Sequence, residues 1–405
     1  MANIWCEEAA RTLLGCCLRG EPRPGGLLEL LLEEKCGGAL FGVVAEGLAD
    51  RFEPALCDAY AELFSEALAA LEPELTAGEL LARYRRIRRP RKFTGAEPRK
   101  IYVLSRVTLG ADVAITSVVL DAVKQRFPES QILLAGSRKA WELFEADSRI
   151  GHLAAPYPRG GPIRDRLEAW RRLRRAVAEP GSIVVDPDSR LTQLGLAPVC
   201  EEEDYYFFES RGYGGDGDEP LGALTQRWTG ETFGQRGRAY IAPAPVAAVP
   251  AVCVSLGVGG NPAKRIGGGF ERGLLRALVD RGARILIDKG AGGEEEARVN
   301  DAIAGLPADR VECWNGAFAP FAARIAQARM YIGYDSAGQH VAAACGVPMV
   351  TVFAGFASGR MLARWRPTGP APIEVVRVDD PDPDATLART LEAVGRLANL
   401  PPNMA

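Results

Sequence analysis

Four short stretches of the sequence carry side chains whose types and spacing could do chemistry. The first is Asp335-Ser-Ala-Gly-Gln-His340, a polar turn after an apolar run, followed by the small residues Val341-Ala-Ala-Ala-Cys345. Asp335, Ser336, Ala337 and Gly338 would then stand at the start of a short helix. Ser336 is placed to cap it, and free backbone N–H groups there suit a diphosphate. His340 falls in the first helical turn, where its imidazole can donate to a phosphate oxygen. The second stretch is Ser255-Leu-Gly-Val-Gly-Gly-Asn-Pro-Ala-Lys264. Its glycines allow backbone to approach an anion closely, and Lys264 adds a mobile positive charge. It is neither G-x-G-x-x-G nor a Walker A loop, since no Gly-Lys-Ser/Thr follows. The third is Asp186-Pro-Asp188 at the end of another apolar run, with Arg190 and Arg211 downstream. Two carboxylates could hold magnesium or meet a substrate, and the arginines could meet an acidic or phosphorylated one. The fourth is Gly110-Ala-Asp112. Asp112 is either a general base or the N-cap of a helix starting at Val113.

The surrounding elements explain why these stretches could meet. From residue 101 onward, short β-rich runs alternate with helical patterns: Ile101-Tyr-Val-Leu-Ser, Gln131-Ile-Leu-Leu-Ala and Ile183-Val-Val-Asp. A proline-rich segment around 240–251 interrupts the order, which restarts with Val252-Cys-Val-Ser-Leu, Arg284-Ile-Leu-Ile, Met330-Tyr-Ile-Gly-Tyr, Met349-Val-Thr-Val-Phe and Glu374-Val-Val-Arg-Val. Such alternation predicts parallel sheets covered by helices. Two doubly wound domains facing a cleft are expected, with ligands beyond the carboxyl ends of the strands. Residues 1–88 read as helical, with Leu56, Tyr60, Leu63, Phe64, Ala67, Leu68 and Leu71 at helical spacing. They carry no recognisable chemistry and suggest a cap or interaction domain. The basic run 83–92 reads as a helix end and linker, although such a run can also dock on anionic lipid. The expected organisation is a helical segment and basic linker (1–98), a first Rossmann-like domain (99–245), a second Rossmann-like domain (246–380) and a C-terminal helix and tail (381–405).

Composition narrows the classes. The 405 residues carry a net charge of −3, with no overall electrostatic footprint for nucleic acid. Nine cysteines without a C-x-x-C pair predict free thiols in a reducing compartment rather than a disulfide framework or zinc site. Neither a signal peptide nor a spanning apolar run is evident, so a cytoplasmic protein is expected, open to peripheral contact with the inner membrane. His152 and His340 are the only histidines.

Residues 99 to 375 resemble glycosyltransferase family 9, the heptosyltransferases, which have the GT-B fold. Asp335, Ser336, His340, Ala342, Ala343, Gly346, Val347, Pro348 and Phe353 fit the family's donor-site pattern. Ala337 stands where the family has glycine, and Gly338 comes one place late. The resemblance implies that Lys264 binds phosphate, that Glu294 binds the donor ribose and that the base lies near Gly316. It further implies that Asp112 is the catalytic base of an inverting transfer, that the donor is ADP-heptose, and that no metal or other cofactor is needed. Asp186, Asp188, Arg190 and Arg211 then fall on the acceptor side. The acceptor could be a glycan such as a lipopolysaccharide core, a glycolipid or a protein, and the helical segment could serve oligomerisation. A catalytically silent nucleotide-sugar binder and a nucleotide-sugar epimerase share the same architecture.

Overall fold

A computed structural model of the chain describes residues 2–247, 251–290 and 292–398. The end of the proline-rich segment (248–250) and the tail beyond 398 lie outside the described residues. The chain forms two compact units, each holding one all-parallel sheet. The first comprises Met1–Thr108, Val118–Trp141 and Arg149–Gly237; the second comprises Leu109–Ser117, Glu142–Ser148 and Arg238–Ala405.

In the first unit, β1 (Lys100–Leu104), β2 (Gln131–Gly136), β3 (Ile150–Ala154), β4 (Ser182–Asp186) and β5 (Tyr205–Phe207) run in the order β3-β2-β1-β4-β5. In the second, β6 (Val252–Ser255), β7 (Ile285–Asp288), β8 (Val311–Trp314), β9 (Met330–Tyr334), β10 (Met349–Phe353) and β11 (Ile373–Arg377) run β11-β10-β9-β6-β7-β8. Both are Rossmann-type orders, built outward in two directions from the first strand. The winding reverses between β1 and β4, and between β6 and β9. Every residue of β4, β9 and β10 is buried, as expected of parallel strands covered on both faces. The C-terminal helix Pro383–Ala398 packs Ala393, Val394 and Leu397 into the core of the second sheet. Asp382 caps it by accepting the Ala385 N–H at 2.9 Å.

The helical segment is not a free-standing appendage. Leu31, Val44, Phe64, Leu68 and Tyr84 share one buried cluster with Tyr102 and Leu104 of β1, Val184 of β4 and Phe207 of β5. The helices Pro54–Leu71 and Ala77–Ile87 thereby cover one face of the first sheet. The basic run ends the helix largely exposed, as expected, yet several of its arginines have partners on the first unit. Arg83 is buried, donates to the Gly195 carbonyl at 2.8 Å and lies over the Tyr205 ring. Arg86 pairs with Glu202, Arg88 with Asp58 and Glu209, and Arg91 lies over Tyr206. These pairs clasp the helical segment to the β5 edge.

The cysteines depart from expectation at one pair. Cys6 and Cys36 form a disulfide, and the other seven are free. Spacing alone does not reveal such a pairing, because helix packing brings the two positions together. No helix among the described residues is long and apolar enough to cross a membrane.

Candidate functional site

The reversal point of the second sheet gathers the donor-side residues. Ser255, which ends β6, is in register with Gly333 of β9, so the loops leaving the two strands start side by side. The β6 loop turns through Gly259 at φ 58° and forms a short 3-10 turn, Pro262–Lys264, capped by Asn261 accepting the Ala263 N–H at 3.1 Å. Gly355, in the loop after β10, lies so close to this turn that a Cβ there would sit 2.4 Å from the Ala263 carbonyl oxygen. The turn aims Lys264 at the β9 loop. Its Nζ donates to Asp335 Oδ2 at 2.6 Å and to the Asp335 carbonyl at 3.1 Å.

Beyond Asp335 the helix Ala337–Ala344 begins. Ser336 occupies its N-cap position, yet the Ser336 side chain makes no capping hydrogen bond. This corrects the expected cap. The hydroxyl lies instead 3.5 Å from Tyr331 Oη. The first-turn N–H groups of the helix therefore have no side-chain cap, which leaves an end suited to an anion. Gly338 has a packing role: a Cβ there would fall 2.4 Å from Tyr331 Oη, so the helix lies close to the sheet only with glycine at this place.

His340 is buried, 7% exposed, with its ring centroid 5.7 Å from that of Trp365. Burial pushes its pKa down to about 4; nearby Lys264 acts in the same direction and Asp335 opposes them. The imidazole is therefore neutral at pH 7. Gln339 is fully buried and touches three site groups. Its Nε2 donates to Asp335 Oδ1 at 2.5 Å and lies 3.3 Å from His340 Nε2, while Thr351 Oγ1 donates to its Oε1 at 2.7 Å. Nothing in the motif pointed to Gln339; a polar residue on the buried side of a small-residue helix was the available signal.

The three glutamates that open the helix Gly293–Ile303 divide their partners. Glu294 pairs with Arg265 at 2.5 Å and is 76% exposed. Glu295 accepts the Val258 N–H at 3.1 Å, in space left free by Gly257 and Gly290. Glu296 pairs with Lys289. Gly316 follows β8, and its Cα side lies against the Trp314 indole.

Asp112 also belongs to the second unit. It is not an N-cap: the helix begins earlier, at Leu109–Ala111, and Asp112 opens a π-helical turn, Asp112–Thr116. Single π turns within helices often mark functional sites. Asp112 is fully buried and accepts from Thr116 Oγ1 at 2.8 Å. Two residues before it, a Cβ at Gly110 would lie 3.2 Å from Ala337 Cα and 3.3 Å from His340 Cδ2. The segment bearing Asp112 thus packs directly on the donor-side helix.

The acceptor-side candidates of the first unit fare differently. Asp186 is fully buried and accepts from the Ser189 N–H at 2.6 Å, Thr192 Oγ1 at 2.5 Å and the Tyr205 hydroxyl. Burial dominates and lifts its pKa to about 6, against these hydrogen bonds. Asp188 is fully buried and forms a two-point pair with Arg211, Nε at 2.9 Å and Nη2 at 3.1 Å, joined by Ser210. Arg211 is itself buried over the Tyr60 ring. These three residues are engaged within the protein and hold the helical segment and the β4 loop together, rather than standing open to a ligand. Both carboxylates are taken up by protein donors, Asp186 by Ser189, Thr192 and Tyr205, and Asp188 by Ser210 and Arg211. Arg190, partly exposed, lies 3.7 Å from Glu46. Trp170, on the arginine-rich helix Ile163–Val177, is buried and donates to the Pro198 carbonyl. Sequence reasoning missed Arg106, which reaches across this reversal point to the Pro187 carbonyl at 2.9 Å and to Ser210. Its neighbour Val107 holds φ 74°, and Asp188 holds φ 70°. For a β-branched residue that conformation costs on the order of 1–3 kcal/mol and persists only where surroundings impose it. Here Ser105 Oγ accepts the Val107 N–H at 2.9 Å.

Two Rossmann-type parallel sheets in sequence are the architecture of the GT-B fold. Residues 270–371, within the second unit, match the model of glycosyltransferase family 9 (heptosyltransferase). Solved structures agree on the fold. The Escherichia coli heptosyltransferase WaaC with ADP is similar at 14% identity and TM-score 0.56, over 73% of this chain and 99% of that one. The Escherichia coli ADP-heptose lipopolysaccharide heptosyltransferase II is similar at 16% identity and TM-score 0.53, over 74% and 98%. A family 9 glycosyl transferase from Veillonella parvula is similar at 14% identity and TM-score 0.52, over 75% and 90%. No curated protein matches the sequence.

Proposed function

We propose that the protein is a glycosyltransferase that binds the diphosphate of a nucleotide sugar at the reversal point of its second sheet and transfers the sugar, with inversion, to a glycan, glycolipid or protein acceptor. The observation that carries this reading is the convergence of Lys264, Asp335 and the uncapped start of Ala337–Ala344 on adjacent strand ends. A leaving diphosphate gains negative charge as the glycosidic bond breaks. Lys264, the helix N–H groups and the neutral His340 would stabilise that charge without first reorganising. In the unliganded protein Asp335 holds the lysine in position, and a phosphate oxygen would take up one of its donors. Glu294, exposed and paired with Arg265, would accept from ribose hydroxyls, and the base would lie along Gly316. The similarity to heptosyltransferases favours ADP-heptose as donor. Asp112 would accept the proton of the attacking hydroxyl.

Calorimetry with ADP, UDP and GDP tests the reading. ADP should bind, and Lys264→Ala should weaken it roughly 10- to 100-fold, the loss of one charge-assisted contact to phosphate. Unchanged affinity in both Lys264→Ala and His340→Ala would move the site elsewhere. Tighter binding of UDP or GDP would change the donor but keep the site.

A further inference from the structure

His340 can meet a phosphate only through a ring nitrogen that carries a proton, and a neutral imidazole has one such nitrogen. Which one is fixed by the neighbours. The Asp335 carboxylate, paired with Lys264, can only accept, so the Gln339 amide must turn its NH2 toward it. The Thr351 hydroxyl, donating to Gln339 Oε1, holds the same orientation. The NH2 group that faces Asp335 also faces His340 Nε2 at 3.3 Å. An amide nitrogen only donates, so His340 Nε2 must accept, and the proton sits on Nδ1. The Cδ2 edge of the ring is closed by Gly110. The contact to Gln339 is made at Nε2, so Nδ1 is the nitrogen left to carry the proton.

We infer that Gln339 is a positioning residue: with Thr351 and Asp335 it locks His340 in the Nδ1–H tautomer and so presents that N–H to the donor diphosphate. The inference rests on the reading of this loop as the diphosphate site, but its first test does not. His152 is an internal contrast, because its Nε2 lies 3.1 Å from the Gly136 carbonyl, which can only accept, and this requires the opposite, Nε2–H, tautomer.

With only two histidines in the chain, a long-range proton–nitrogen correlation spectrum of protein labelled with 15N-histidine at pH 7 reads both tautomers, and a His152→Gln variant assigns them. The expected result for His340 is a proton on Nδ1 and none on Nε2; an Nε2–H pattern for His340 overturns the inference and leaves the nucleotide reading intact. Added ADP should shift the His340 Nδ1 resonance and leave His152 unmoved. ADP that binds by calorimetry without moving Nδ1 overturns the presentation to phosphate. Absence of any nucleotide binding sinks the functional reading instead, while the spectrum still decides the tautomer. In Gln339→Met the His340 pattern should move toward Nε2–H and ADP affinity should fall about tenfold, as for one lost hydrogen bond to a charged group. A switched tautomer with unchanged ADP affinity again overturns the proposal. If that variant does not fold, the wild-type spectrum and its ADP response remain decisive.

Discussion

Asp112 and His340 sit on packed segments of one unit but answer to different experiments. A general base acts on the acceptor in the transition state, so losing it should lower turnover far more than donor affinity. Asp112→Asn keeps the shape and the bond from Thr116 while removing basicity. Its transfer rate should fall on the order of a hundredfold to ten-thousandfold with ADP affinity unchanged. Near-normal transfer in an acceptor panel of core oligosaccharides, glycolipids and proteins would make Asp112 a structural residue. His340 predicts a pH effect on stability. Its folded pKa, about 4, lies below the ordinary value of 6.5. As pH falls through this window the unfolded chain takes up a proton that the folded chain refuses, so stability drops, by up to roughly 3 kcal/mol. Asp186 works in the opposite sense. Its pKa is raised to about 6, so the folded chain takes up its proton first and stability rises as pH falls toward the ordinary 3.8. The two slopes overlap in the wild type and separate in the difference from His340→Gln. Urea midpoints at pH 7 and pH 4.5 should fall less on acidification in the variant; an equal fall would mean that His340 is not a buried neutral imidazole. Lys264, Asp335 and His340 were legible because loop glycines, a lysine and a polar turn have few other reasons to follow apolar runs. Burial was not legible. Asp186, Asp188 and Arg211 look like ligand groups in sequence, and only the fold reveals that they satisfy one another.

The elements show the same division between what periodicity carries and what pairing decides. The central strands β1, β4, β6, β9 and β10 read plainly as apolar runs, because parallel strands buried on both faces leave no polar face to blur them. The strands that escaped the sequence reading, β3, β5 and β8, are all at sheet edges. β3 (Ile-Gly-His-Leu-Ala) and β8 (Val-Glu-Cys-Trp) are partly exposed, and β5 has three residues, so none makes a run distinct from loop. The helix Ala337–Ala344 yields a prediction of its own. With Tyr331 Oη 2.4 Å from a Cβ built on Gly338, Gly338→Ala forces the helix off the sheet. A loss of about 1–3 kcal/mol is expected from such overpacking, with weaker ADP binding because the helix start moves. Ala337→Gly should leave the fold intact, since glycine at the first helical position costs only up to about 1 kcal/mol. Equal melting temperatures for Gly338→Ala and wild type would show that the close approach is not needed.

At the scale of the molecule, the structural neighbours span about three quarters of this chain and nearly all of their own. The helical segment buries Tyr102, Leu104, Val184 and Phe207 of the first sheet, and the Arg211–Asp188 pair is enclosed partly by Tyr60 and Tyr84 from that segment. A chain beginning at residue 99 should therefore be insoluble or expose apolar surface that binds a hydrophobic dye, rather than form a trimmed, active enzyme. A soluble, cooperatively melting product would show that the segment is dispensable. Basic patches, leucine spacing and helical character were all visible in residues 1–98, and a cap was one expected role; which sheet face they cover was not, because that face is assembled from strands that run on to Phe207.

The division of the chain between units also orders events during translation. Leu109–Ser117 and Glu142–Ser148 belong to the second unit, although they are made before the first is complete. As the polypeptide leaves the ribosome, the first sheet can close from residues already synthesised. The segment holding Gly110 and Asp112 has to wait for the helix Ala337–Ala344, more than two hundred residues later. The proposed base is thus among the last parts of the nascent protein to find its place, and a chain stalled before that helix emerges has no route to an assembled catalytic centre.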